Sequence, residues 1–224
     1  MNIESIDLER RVAMHMALGD AARLRIVDAL SIGDLAPSEI QTWLDVSSNL
    51  LAHHLGVLEG AGLIERSRSE ADRRRTYIRL AAGAHGLVGA GRIDAPQRVV
   101  FVCTANSARS QIAAALWQRE SSIPATSAGT HPAPAIAQGA LDVAERRGLD
   151  LPRSAPRSIE SVRDTGDWVI TVCDAAHEEL GGEDAAHWSV SDPGRASTPA
   201  AYDDAYDELA DRIRAVVPHF VLAG

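Results

Sequence analysis

Cys103 and Arg109 stand six positions apart in the run Cys103-Thr-Ala-Asn-Ser-Ala-Arg109-Ser110, between the apolar stretch Val99–Val102 and an amphipathic stretch beginning at Ser110. A loop that joins a strand end to a helix start turns its backbone N–H groups toward one point, and the helix dipole adds positive potential there. An oxyanion at that point would be held by the amides of Thr104, Ala105, Asn106, Ser107, Ala108, Arg109 and Ser110 and by the fork of the Arg109 guanidinium. The thiolate is the reactive form of cysteine, and positive surroundings of this kind promote it. The chemistry expected is attack by the Cys103 sulfur on a phosphate-like anion.

The elements that must position this loop alternate between strand and helix. Val99–Val102 reads as a short buried strand and Ser110 to Glu120 as a helix. A further helix is expected near Pro134–Arg147, then a strand at Trp168–Val172 and a last helix from Tyr202 to Val217. Such alternation predicts a parallel sheet covered on both faces. Functional loops of open sheets gather beyond the carboxyl ends of the strands. Cys103 follows one strand and Cys173 follows another, so both belong on that edge.

The first half has a different pattern. Asp20 can cap a helix through Leu30, with Leu24, Val27 and Leu30 near one face. Pro37 can open a helix to Leu44. Ser47 or Ser48 can cap a third, in which Leu51, Leu55 and Leu58 recur at helical spacing. Leu63–Arg68 and Arg75–Leu80 read as two strands around a polar tip. Three helices and a hairpin make a winged helix-turn-helix, expected over residues 1–81. Residues 82–97, rich in glycine and ending near Pro96, read as a linker to a second domain over residues 98–224.

The 224 residues carry a net charge of −9, and all 22 basic residues are arginine. The charge is uneven. Arg66–Arg79 holds six arginines against Glu70 and Asp72, a basic patch in an acidic chain. Nonspecific polyanion binding by the acidic second half is thereby disfavoured. On the third helix, Ser47, Ser48, Asn49 and His53 lie opposite the apolar stripe and could meet base edges. Arg66, Arg68, Arg73, Arg74 and Arg75 of the hairpin would meet phosphates, which gives affinity without sequence choice. There is no stretch of 18 apolar residues and no basic-then-apolar start, so a membrane span and a secretory signal are not expected and a cytoplasmic location is.

Two resemblances sharpen these expectations. Ala17-Leu-Gly-Asp-Ala-Ala-Arg-Leu-Arg-Ile-Val27, Ser47-Ser-Asn-Leu-Leu-Ala-His-His-Leu-Gly-Val-Leu58 and Ala61-Gly-Leu-Ile64 resemble the ArsR-type metalloregulatory repressors. That resemblance implies a homodimer bound to palindromic operator DNA. The family's arsenic sensors carry a Cys-x-Cys pair where this chain reads Leu35-Ala-Pro-Ser-Glu-Ile40, so sensing of arsenite by that route is not expected. Residues from about 98 onward resemble the low-molecular-weight tyrosine phosphatases and the arsenate reductases that share their fold. The segments that carry this likeness are the Cys103 loop, Thr126–Thr130, Asp167–Asp174 and His187–Pro193. It implies a three-layer α/β domain with a four-stranded parallel sheet and a phosphate-binding loop, and gives Asp192 the role of general acid.

Within that resemblance Gln111 matches the reductases, as does Cys173 at a strand end where some keep a second redox cysteine. Gly194-Arg195 replace the aromatic residues with which the phosphatases sandwich a phenol ring. The resemblance thus implies a regulator fused to an arsenate reductase, with Cys103, Arg109, Asp192 and Cys173 as the catalytic set. No metal or organic cofactor is expected, only an external thiol reductant: mycothiol with its redoxin, glutathione or thioredoxin. Without a third cysteine after Cys173, either a redoxin reaches a Cys103–Cys173 disulfide directly or a small thiol attacks the arsenic adduct; the incomplete relay favours the small thiol. Two other readings stay open: an oxyanion or redox sensor without turnover, and an active protein tyrosine phosphatase. His131, His177 and His187 lack ligand spacing and read as surface or packing residues.

Overall fold

The computed structural model describes residues 5–87, 91–151 and 155–221. The chain separates into two compact units, Met1–Ser69 with Arg73–Gly91, and Glu70–Asp72 with Arg92–Gly224.

The first unit opens with α1 (Ser5–Leu18), which the apolar pattern does not signal, and continues with α2 (Ala21–Leu30), α3 (Pro37–Leu44) and α4 (Ser48–Gly60). The starts of α2, α3 and α4 each have a local cause. Asp20 accepts from the Arg23 N–H at 3.0 Å, Pro37 opens α3 where its missing N–H is harmless, and Ser47 accepts from the Leu50 N–H at 3.3 Å. Leu51, Leu55 and Leu58 of α4 bury together with Ile26, Val27, Leu30 and Ile40. Leu24, expected on that inner face, is instead 41% exposed, and Ile26 takes its place. β1 (Ile64–Arg68) pairs antiparallel with β2 (Thr76–Leu80), from Ile64 opposite Leu80 to Arg68 opposite Thr76. Leu35 bridges Ile78 from the other side. The unit is a winged helix-turn-helix.

The glycine-rich stretch read as a linker is structured at both ends. Ala82–Leu87 forms a 3-10 helix whose Ala84 is buried in the core of the first unit. Residues 88–90 lie outside the described residues. Beyond them β3 (Ile93–Asp94) runs parallel to β8 (Phe220–Val221), the last described strand of the chain. The Phe220 ring stands edge-on to Trp117 and Trp168, at 5.5 and 4.9 Å between centroids. These aromatic contacts anchor a pairing of only two residues, which glycine content alone could not reveal.

The second unit proceeds through β4 (Arg98–Cys103), α5 (Arg109–Glu120), β5 (Ala125–Gly129), α6 (Gln138–Arg146) and α7 (Ile159–Val162). It continues through β6 (Asp167–Thr171), α8 (Asp174–Leu180), β7 (Ala186–His187), α9 (Pro193–Ala196) and α10 (Pro199–Val216). Four strands form one parallel sheet in the order β5-β4-β6-β7. Val99, Val100, Phe101 and Val102 are all fully buried, as a central strand covered on both faces requires. The Phe101 ring lies 5.7 Å from both Trp117 and Trp188. At the amino edge Arg98 sits opposite Asp167 and donates to both of its carboxylate oxygens, at 2.9 and 2.6 Å.

Candidate active site and candidate nucleic-acid face

β4 ends on Cys103 and α5 starts at Arg109, so the five residues between them must turn the chain through the sheet edge. The turn is held from outside. The carbonyls of Cys103, Thr104, Ala105 and Ser107 accept from the N–H groups of Thr130, His131, Ala133 and Ala137, at 2.8 to 3.1 Å. In a trans peptide the N–H points opposite to the C=O, and the chain has no cis bond among the described residues. Four carbonyls facing outward therefore turn the amides of Thr104, Ala105, Asn106 and Ala108 inward. The result is a ring of inward main-chain donors, the kind of concavity that suits an anion.

Asn106 is the keystone of the turn. Its φ of 47° is left-handed, a conformation that asparagine tolerates better than most residues. Its fully buried side chain donates to Ser110 Oγ at 2.9 Å and accepts from the Arg157 N–H at 2.9 Å. Gln111, 3% exposed, donates to the Asn106 carbonyl at 3.1 Å and to its Oδ1 at 3.3 Å. Gly129 passes so close beneath that a Cβ there would lie 2.6 Å from the Thr104 carbonyl. No side chain fits at that position.

Around the cradle stand Cys103, Arg109, Cys173 and Asp192, which share the wall of one cavity with Thr104 and Asp174. Ser110 Oγ lies 3.1 Å from Cys103 Sγ. The buried Arg109 donates through Nη1 to the Val190 carbonyl at 2.8 Å and directs Nη2 toward Asp192, 3.5 Å from its carboxylate. Burial disfavours the Arg109 charge, but the Cys173 and Cys103 sulfurs and the Asp192 carboxylate more than offset it and hold the guanidinium above its ordinary range. Asp192 caps α9, accepting from the Gly194 N–H at 3.0 Å. Both cysteines are free and buried. Cys173 lies 3.5 Å from Thr104 Oγ1, and burial pushes its thiol up despite the nearby Arg109. Val102 pairs with Thr171 across neighbouring strands, which sets Cys173 one residue past the level of Cys103.

Two features carry no signal in the sequence. Tyr202 reaches the cavity wall from α10, its ring pressed on Gly139, and burial together with the Asp192 charge raises its hydroxyl above the usual phenol range. His177 and His187 are neither surface nor simple packing residues. They are buried and stacked, 4.2 Å between centroids and 13° from parallel, with hydrogen bonds to carboxylates. With Asp184 they bring three ligand-type atoms within 4.8 Å of one another. The stacking keeps the two rings in separate planes, so an ion lying in one plane stands well out of the other. His131 is exposed and pairs with Glu179 at 2.9 Å.

In the first unit, Ser47, Ser48, Asn49 and His53 are all exposed on one face of α4, while His54 is buried and lies 3.7 Å from Asp20. Arg68, Arg73, Arg74 and Arg75 are exposed on the hairpin. Arg66 is held back by Glu59 of α4 at 3.0 Å.

A cysteine at the end of a central parallel strand, a main-chain anion cradle and an arginine at the next helix start define a cysteine-dependent phosphate-loop domain. Residues 98–221 match the model of the low molecular weight phosphotyrosine protein phosphatases, and the chain belongs to that family. Residues 18–67 match a helix-turn-helix domain, here of the ArsR type. A curated protein of Halobacterium salinarum named "Putative arsenate reductase" is 28% identical over 109 residues, covering 45% of this chain and 77% of that protein. Among solved structures, the arsenate reductase of Archaeoglobus fulgidus is 26% identical with a TM-score of 0.48, covering 54% of this chain and 98% of that one. The tyrosine phosphatase Wzb of Escherichia coli K30 is 21% identical with a TM-score of 0.50, covering 55% and 97%, and shares the fold.

Proposed function

We propose that this chain is a DNA-binding transcriptional regulator fused to a thiol-dependent arsenate reductase. The observation that carries the enzymatic half is the inward turn of the loop amides around Cys103 and Arg109, with Asp192 against the guanidinium. The cradle holds arsenate, and the Cys103 thiolate attacks arsenic. Asp192 gives its proton to the departing oxygen, which leaves as water. A second thiol then attacks the Cys103 sulfur. The sulfur–arsenic bond breaks with its electron pair remaining on arsenic, so pentavalent arsenic becomes trivalent, arsenite leaves, and the two sulfurs end as a disulfide. The second thiol is a small thiol or redoxin; Cys173 is the internal alternative, and adjacent strands about 4.8 Å apart support its reach. The Halobacterium relative supports arsenate as the anion, and so does Gln111, which braces the loop from within α5.

The regulatory half uses the exposed face of α4 to read bases and the hairpin arginines to meet phosphates. Leu8, Val12 and Met16, four residues apart on α1, are 54%, 48% and 73% exposed. Such an apolar stripe on the surface supports a homodimer on a palindrome. A cytoplasmic location accords with both halves, and no helix among the described residues is long and apolar enough to cross a membrane. A reading of the second unit as a sensor without turnover draws on one observation: both cysteines of the chain lie in that unit and none in the first.

The deciding experiment compares arsenite production by the full chain with glutathione, with mycothiol and its redoxin, and with thioredoxin. Arsenite from one of these, absent in Cys103→Ser, is the expected result. Efficient phosphotyrosine peptide hydrolysis without arsenite formation would overturn it in favour of a phosphatase, and absence of both activities in favour of the sensor.

A further inference from the structure

The cavity wall contains two carboxylates to which the mechanism gives no role, Glu70 and the more deeply buried Asp174. Asp174 is the first residue of α8, directly after Cys173, and its side chain is 3% exposed. Its Oδ1 lies 3.0 Å from His187 Nε2. Burial alone would push its carboxyl up, but the hydrogen bonds from His187, from the Glu70 N–H at 2.7 Å and from Ser189 outweigh this and hold it below the usual carboxylate range. His187 is in turn fixed from the other side, its Nδ1 2.9 Å from Thr171 Oγ1. Thr171 donates to Asp184, which also binds His177 Nδ1 at 2.7 Å. A buried charge is retained only where such partners satisfy it.

Two of the partners of Asp174, His187 at the end of β7 and Ser189 just beyond it, precede Asp192 in the chain. After β7 the chain runs from Trp188 to Asp192 without regular structure until α9. The Trp188 and Val190 side chains are buried, and the Asp192 N–H donates to Glu70 Oε2 at 3.0 Å. Trp188 donates its N–H to the Thr171 carbonyl at 2.8 Å, Ser189 bonds to Asp174, and the Val190 carbonyl takes the Arg109 bond. One carboxylate thus joins the Cys173 strand end to the end of β7 and to the loop that delivers the acid.

We propose that Asp174, acting through His187 and Ser189, is a positioning residue that sets Asp192 against the anion held by Arg109. The proposal rests on the acid role given to Asp192 above. It assigns Asp174 no contact with substrate: the anion cradle should survive its loss, while the aim of Asp192 should not. A misplacement of about 1 Å at a reacting group can lower a rate by about a hundredfold.

The test is a double-mutant cycle on the full chain, with the arsenate reduction rate and the affinity for inorganic phosphate measured side by side. Asp174→Asn should lower kcat by about tenfold to a hundredfold and leave phosphate affinity within about threefold. Asp192→Asn should lower kcat at least as far, and the double variant should be no slower than Asp192→Asn alone, because the positioned group is already gone. Ser189→Ala removes the loop's own bond to Asp174 and keeps the test available should Asp174→Asn fold poorly. It should repeat the pattern at about threefold to tenfold, again vanishing in the Asp192→Asn background. Additive losses in the cycle would overturn the inference, as would an equal loss of phosphate affinity. Wild-type kcat in Asp174→Asn and Ser189→Ala, with Asp192→Asn slow, would overturn this inference alone. Wild-type kcat in Asp192→Asn would remove the acid itself and this inference with it.

Discussion

The hydroxyl of Ser110 lies 3.1 Å from the sulfur of Cys103, and the same oxygen accepts from Asn106 at 2.9 Å. Accepting from Asn106 leaves the hydroxyl hydrogen available for donation to sulfur. Hydrogen bonds to charged groups contribute roughly 1.5–3 kcal/mol. Ser110→Ala should therefore slow adduct formation by about tenfold to a hundredfold, measured as the single-turnover rate of arsenate-dependent thiol loss. An unchanged rate would mean that this hydroxyl does not assist the nucleophile.

Cys103→Ser should reduce turnover by about a thousandfold or more while retaining oxyanion binding, because the amide cradle and Arg109 remain. Arg109→Ala should lose both, since the guanidinium also holds the Val190 carbonyl. Phosphate titration calorimetry alongside the arsenite assay separates the two outcomes. Normal turnover in Cys103→Ser would identify a different nucleophile.

Cys173→Ala should keep most of its turnover with a small thiol and its redoxin. The Cys173 thiol is raised by burial, and a protonated thiol attacks poorly. Loss of turnover under every reductant, with folding and phosphate affinity preserved, would make Cys173 the resolving thiol instead.

The Arg98–Asp167 pair should show in the pH dependence of stability. Hydrogen bonding from Arg98 lowers the Asp167 carboxyl. A lowered native value means stabilisation that is present above the usual carboxylate range and lost as pH falls through it. Asp167→Asn should therefore have a lower Tm than the wild type at neutral pH, with the gap closing below about pH 4. A constant gap across that range would show that the pair contributes by packing alone.

Binding to operator DNA should weaken steeply with salt. Replacing Arg73, Arg74 and Arg75 together by Ala should flatten the slope of log affinity against log salt by about 0.9 for each phosphate left without its arginine. Asn49→Ala or His53→Ala should instead change sequence preference at constant slope. Fluorescence anisotropy over a salt series, on matched and altered operators, reads both. An unaltered slope in the triple variant would exclude the hairpin from the interface.

Much of this architecture is legible in the sequence because it rests on local rules. Asp20, Pro37 and Ser47 open α2, α3 and α4 where capping chemistry puts them. The run Val99–Val102 announces a strand buried on both faces. What stays hidden depends on residues far apart in sequence. β5, of sequence Ala-Thr-Ser-Ala-Gly, has no apolar alternation and exists because β4 pairs with it. The loop's amide geometry is imposed by residues 130–137, which carry no recognisable motif. The His177–His187 stack joins residues on different elements, and only the fold brings them to Asp184 and Asp174. Leu24 departs from expectation for a simpler reason: a helix of 10 residues allows more than one inner face, and packing chose Ile26.

The segment after β5 has a further meaning for how this protein could change. Four of its N–H groups hold the loop carbonyls from behind, as a mould holds a casting. The width of the amide ring is thus recorded in a stretch of chain whose bonds to the loop all go to its back. Arsenate and phosphate differ mainly in size, and a ring of main-chain amides has no side chain to trim. A shift in preference between them can thus be written into the backing stretch, out of the anion's sight, while every residue of the loop itself stays the same.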